Sequence, residues 1–341
     1  MNSFLARRLL QAIPTLFGIS LLSFMLMLAT PGDPITTITF RPSNDPGAAE
    51  ILRRQLGLDQ PPLIQYVYWL IGNDWVRMDV DGDGEDDVYG TRRGVLRGDF
   101  GQSIQLKRPV WELITERVPA TLLLSLPSIA IGYMAGILIG LLAASNHQSW
   151  FDQLARVLSV AGNAIPNFWL GMVLILIFSV NLNWLPMGGM RDITQRQAGF
   201  NLMNSLPYMI MPVMVFSLSI VSSVSRYTRT QILEVLEQDY VRTARAKGLS
   251  SGKVLRVHVM RNALIPIATL IGPSIGFLLS GAVIIEQVFS WPGLGRLAIE
   301  AVSQRDYPVI MGTVVISGVM YLIGLIISDI LYGLIDPRIR L

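Results

Sequence analysis

The residues of this chain best suited to chemistry lie in two clusters of opposite charge. Asp79, Asp81, Asp83 and Asp87 form the string D-x-D-x-D-G-x-x-D, with Gly84 at its sixth place. Alternating carboxylates around a glycine that allows a sharp turn are what a calcium ion takes as ligands. The twelfth place holds Gly90 and not Glu, which argues against a helix-flanked EF-hand. Two readings stay open: a shorter calcium loop with a structural role, or a solvated acidic hairpin. The second cluster is Arg242, Arg245, Lys247, Lys253, Arg256 and Arg261, all inside residues 237–266. Residues 197–225 before it and 264–285 after it carry no charge. A short basic loop between two apolar runs belongs on the cytoplasmic face of a membrane. Such cations make no bonds; their chemistry is docking.

Of the 341 residues, 51% are hydrophobic and 15% charged, and the apolar ones fall in long uninterrupted blocks. A soluble domain averages about 25% charged residues. This composition is that of a membrane protein, with lipid as a partner. The net charge of +3 comes mostly from basic residues flanking the apolar blocks, so it reports orientation and implies no nucleic acid. The absence of cysteine excludes disulfides and thiolate metal sites. The strings G-x-x-x-x-G-K-S/T and H-E-x-x-H are missing, and the two histidines are His147 and His258. No enzyme and no ATP site of its own is therefore expected. Asp329 is the only acid inside an expected span, whereas an ion-driven carrier keeps several ionisable groups there. A carrier driven by its own ionisable groups is therefore not expected.

The basic loop has internal order. Residues 234–247 are rich in helix formers, with Leu233, Leu236, Tyr240, Ala244 and Lys247 at three-or-four spacing. Gly248 stands where a left-handed helix stop is expected, and Ser250 and Ser251 where they would cap a second helix beginning near Gly252. Arg242-Thr243-Ala244, three further residues and Gly248 resemble the EAA loop of ABC-importer permeases. The wider string DYVRTARAKGLS…RNALIP is similar to the dipeptide/oligopeptide branch of that family. The general pattern opens Glu-Ala-Ala and closes on an earlier proline; here the opening is Arg-Thr-Ala and Pro266 lies further on, as in the peptide branch. LGLDQPPLIQYVYWL, LRGDFGQSI and WPGLGR extend the resemblance over nearly the whole chain, with an apparent insertion at about 73–94.

The resemblance implies that Asp239, Tyr240, Arg242, Ala244, Arg245, Lys247, Gly248 and Leu249 belong to a coupling helix that docks in a cleft of an ATPase subunit. It also implies a second related permease, two ATPase subunits that bind ATP and magnesium, and an extracytoplasmic substrate-binding protein. The expected function is half of the translocation path for di- or oligopeptides in a cell membrane. A nickel or glutathione importer of the same branch is one alternative. A stand-alone secondary carrier or channel is the alternative of another class.

The elements that must position these residues are apolar runs at about 9–30, 119–144, 157–180, 206–227, 264–285 and 308–335. Each is long enough to cross ~30 Å of hydrocarbon at 1.5 Å per residue. The expected fold is an all-α membrane protein with six transmembrane helices and cytoplasmic N- and C-termini. Residues 1–30 hold the first span, 31–118 an extracytoplasmic subdomain, and 119–341 a five-helix core with its coupling loop at about 228–262. Residues 109–118 read as a separate interfacial helix, 146–156 as a short inner turn, and 286–307 as an outer element. Asn163, Pro166 and Asn167 fall in mid-span, and Ser219 and Ser222 on the next. Polar groups there suit either a translocation path or hydrogen bonding between helices. Gly132, Gly136 and Gly140 form a small-residue stripe for close helix packing.

Overall fold

The computed structural model describes residues 2–29, 51, 53–54, 57–79, 88–191, 201–279 and 283–335. The described residues are mostly helical. Its helices are α1 (Asn2–Ala29), α2 (Pro62–Ile71), α3 (Val110–Ser145), α4 (Trp150–Ala164) and α5 (Asn167–Asn181). They continue with α6 (Leu202–Leu236), α7 (Asp239–Ala246), α8 (Ser251–Ala263) and α9 (Ile265–Leu279). Last come α10 (Val283–Val288), α11 (Leu294–Ser303) and α12 (Tyr307–Ile335). Four helices, α1, α3, α6 and α12, are each long and apolar enough to cross a membrane. The bent pairs α4–α5 and α8–α9 raise the number to six if each is one span.

Three expectations about these elements need correction. The run 109–118 is not a separate interfacial helix, because α3 continues from Val110 to Ser145 without a break at Pro119. The third apolar run is not one straight helix: α4 and α5 meet at 98°. Ile165 adopts an extended conformation (φ −75°, ψ 123°) before Pro166, as the proline ring demands of its predecessor. The inner turn also ends sooner than expected. Ser149 caps α4 by accepting the Asp152 backbone N–H at 3.2 Å, so helix begins at Trp150.

The chain divides into two compact units. One comprises residues 1–8, 120–296 and 320–341. Its core includes Leu124, Met211, Val215, Ile267, Phe289 and Trp291. Here the glycine stripe works as the spacing suggests. A methyl group on Gly132 would lie 2.6 Å from Ile220 Cβ, on Gly136 2.8 Å from Val224 Cβ, and on Gly140 2.5 Å from the Ser225 carbonyl oxygen. The backbones of α3 and α6 approach so closely only because those side chains are absent.

The other unit comprises residues 9–119 and 297–319. Phe24 of α1, Tyr66 and Trp69 of α2, and Met311 of α12 form its buried aromatic cluster. The Ser20 and Tyr66 hydroxyls bond at 2.8 Å. Asp306 draws in the 103–105 segment: it accepts from the Ser103 hydroxyl and from the N–H groups of Ile104 and Gln105 at 3.1 and 3.2 Å. Arg97 clamps Asp74, and its hydrogen bonds hold that carboxyl below its ordinary pKa. A two-residue antiparallel ribbon, β1 (Arg77–Met78) with β2 (Val88–Tyr89), and an isolated antiparallel bridge between Gln102 and Pro109 are the β-structure among the described residues.

Candidate functional site

The basic loop folds as two helices and a tight turn, with different limits from those expected. Helix does not run on from 234 to 247: α6 ends at Leu236 and α7 starts at Asp239. Gly248 takes the left-handed conformation, φ +81°. Its N–H bonds to Arg245 O at 2.9 Å and the Leu249 N–H to Ala244 O at 3.3 Å. This pair of bonds satisfies the last carbonyls of α7 and turns the chain sharply. Ser250 occupies the cap position of α8, which starts at Ser251, but its side chain makes no capping bond. The expected serine cap is therefore present in position and absent in chemistry. Val254–Val259 forms a π-helical turn within α8.

The loop presents two faces. Val241 and Ala244 are buried against Ile232, Val254, Val259 and Ala263, and Leu249 packs on the same cluster. Tyr240 is tied down as well, its hydroxyl accepting from Asn262 Nδ2 at 2.9 Å. Asp239, Arg242, Arg245, Lys247, Lys253 and Arg256 are exposed. Ala244 thus faces the loop's own interior, and the cations form its outer surface.

At the α4–α5 bend each of the two asparagines pairs with a serine of α6, one of them, Ser223, outside the expected set. The Ser219 hydroxyl donates to Asn167 Oδ1 at 2.8 Å, and Ser223 to Asn163 Oδ1 at 3.1 Å. Ser222 is buried beneath Gly162, where an added methyl would meet its hydroxyl. Asn163, Pro166 and Ser223 remain exposed. Hydrogen bonding between helices is therefore present, and it occurs on a face left open.

Of the acidic string, Asp79 lies within the described residues, with an Arg54 nitrogen 3.9 Å away. Asp81, Asp83 and Asp87 lie outside them. The β1–β2 ribbon forms the stem of this segment. Among the described residues no group of three or more acidic or histidine side chains is arranged to hold a metal.

Three buried acids escaped sequence reasoning: Asp306, described above, Asp152 and Glu286. Asp152, fully buried, is held by Arg229 at two points, one of them 2.8 Å. Arg156 Nε stands 3.8 Å from the same carboxylate. Glu286, also fully buried, accepts the Thr121 hydroxyl at 2.8 Å and the Arg296 N–H at 2.9 Å. Leu294 N–H bonds to Thr121 Oγ1 and Trp291 Nε1–H to Ala120 O, each at 2.8 Å, which locks the WPGLGR turn. Asp329 pairs with Arg8, Nε to Oδ2 at 2.8 Å.

Four to six apolar stretches long enough to cross a membrane, with an exposed basic loop between two of them, define a multi-pass membrane protein. Residues 136–341 match the family described as binding-protein-dependent transport system inner membrane component, and residues 1–125 match its N-terminal companion. The chain belongs to this family of cell-membrane permeases. It is 42% identical over 345 residues to the oligopeptide transport system permease protein AppB of Bacillus subtilis, covering 100% of both chains. It is 39% identical to the di/tripeptide transport system permease protein DppB of Pseudomonas aeruginosa, covering 100% of this chain and 99% of the other. With the dipeptide permease protein DppB of Escherichia coli K12 the identity is 37%, at 100% and 99% coverage. The inward-facing MetNI methionine ABC transporter superposes with a TM-score of 0.53, over 66% of this chain and 97% of that one. At 15% identity that likeness speaks for the fold alone.

Proposed function

We propose that this chain is one permease subunit of an ATP-driven importer of di- or oligopeptides. It works with a second related permease, two ATPase subunits that bind ATP and magnesium, and an external substrate-binding protein. Six spans place both termini and the 228–262 loop in the cytoplasm and residues 31–118 outside. The observation that carries this reading is the full-length 42% identity with an oligopeptide permease. The two-faced basic loop supports the coupling role. Its inner face anchors it to α6, so a pull on the outer cations reaches the spans as rigid motion. Each motor state must bind the two permease conformations unequally, because equal binding would shift neither. The open face of Asn163 and Pro166, with the half-buried Asn167 and Ser219 beside them, is the proposed path; Ser222, buried beneath Gly162, supports it from behind, and the acidic string remains a proposed structural calcium loop.

The test is reconstitution of the full chain with its partner subunits in vesicles. Peptide uptake should require ATP and the binding protein. Arg242→Glu with Arg245→Glu should abolish uptake while leaving the protein in the membrane. Peptide flux through the chain alone, or uptake of nickel ion or glutathione in place of peptide, overturns the assignment.

A further inference from the structure

We propose that the cleft between α3, α4 and α6 binds the phosphate headgroup of an anionic phospholipid. The cleft is a shallow groove open to its surroundings, with Ile139, Gly140 and Ala155 among its apolar lining and Arg156, Arg226 and Arg229 as its charged groups. Arg229 is committed to Asp152 through two bonds. Arg156 shares that carboxylate at 3.8 Å, and Arg226 makes no ion pair among the described residues. One carboxylate therefore faces three guanidiniums. Excess positive charge at the edge of a low-dielectric slab is costly until an anion neutralises it.

The surroundings favour a lipid over a free anion. Leu154, Val157 and Leu158, on either side of Arg156 along α4, are exposed. Trp150, at the start of that helix, is 74% exposed, and Tyr227 adjoins Arg226. Acyl chains need such apolar surface and soluble phosphate does not, while aromatic rings of this kind sit at headgroup level. Basic pockets between membrane helices on the cytoplasmic side are suited to anionic headgroups. The choice of leaflet rests on the orientation proposed above; headgroup binding does not, so the two fail separately.

The experiment titrates the purified, delipidated full-length chain with phosphatidylglycerol or phosphatidylcholine, reading bound lipid by native mass spectrometry. Phosphatidylglycerol should bind roughly twenty-fold tighter than phosphatidylcholine, from two unneutralised arginines. Arg156→Gln and Arg226→Gln should each weaken it about fivefold, leaving phosphatidylcholine unchanged. Equal affinity for the two lipids, or a preference that survives both substitutions, overturns the proposal. So does inorganic phosphate that competes phosphatidylglycerol away at equal concentration, since that marks a soluble-anion site. Substitutions that loosen the ATPase complex yet spare lipid binding mark a protein-facing surface and overturn it too.

Discussion

Removing the Asp152 carboxylate leaves Arg229, only 15% exposed, without its counter-charge. Breaking one side of a buried pair costs about 3–5 kcal/mol, whereas replacing both sides with apolar groups of similar volume is close to neutral. Asp152→Ala should therefore lower stability by about that amount, and Asp152→Leu combined with Arg229→Met should recover most of it. Unfolding followed in one detergent checks this; equal losses in the single and double variants would refute the ion-pair account. The pair was illegible in the sequence for a physical reason. An acid a few residues from the end of an apolar run looks like a loop charge, and its partner lies 77 residues away. Glu286 was hidden in the same way, since Thr121 is 165 residues distant. Gly248 was legible because a left-handed stop is a local matter of backbone sterics, read from three neighbouring residue types.

At the scale of elements, the contact between α3 and α6 depends on the absence of side chains at three positions. Gly140→Ala sets a methyl against the Ser225 carbonyl, which cannot rotate aside. Overpacking of this kind costs about 1–3 kcal/mol. Gly18→Ala is the control, because nothing lies within 4 Å of an added methyl on α1. The first should lower the unfolding midpoint and the second leave it unmoved or slightly raised; equal effects would mean that the stripe reflects composition and not packing. The stripe was readable from its four-residue period alone. The Pro119 and Pro166 outcomes were not. The charged residues Glu112, Glu116 and Arg117 mark a change of character just before Pro119 and the run around Pro166 carries no charge, yet the first helix continues and the second turns by 98°. The difference lies in what surrounds the second: Asn163 and Asn167 on its two sides find hydroxyl partners on α6.

For the whole molecule, that bend raises the question of whether α4 and α5 together cross the bilayer. A broken span and a re-entrant loop share the same composition, and they differ only in where the flanking residues emerge. The chain lacks cysteine, so any introduced thiol is unique. His147 before α4 and Trp184 after α5 are both exposed, as are Leu96 and Lys253. The proposed six-span topology puts Leu96 and Trp184 outside and His147 and Lys253 inside. Membrane-impermeant maleimide on intact cells should therefore label Leu96→Cys and Trp184→Cys at once, and His147→Cys and Lys253→Cys only after permeabilisation. If His147→Cys and Trp184→Cys label from the same side, the pair is re-entrant. The number of crossings then falls by one, and the proposed peptide path along Asn163 and Asn167 loses its second opening. Labelling from opposite sides carries the amide–hydroxyl pairs across the membrane with the chain. A bent span of this kind is tolerable only where it lines a cavity or another protein, which is what half of a translocation path requires.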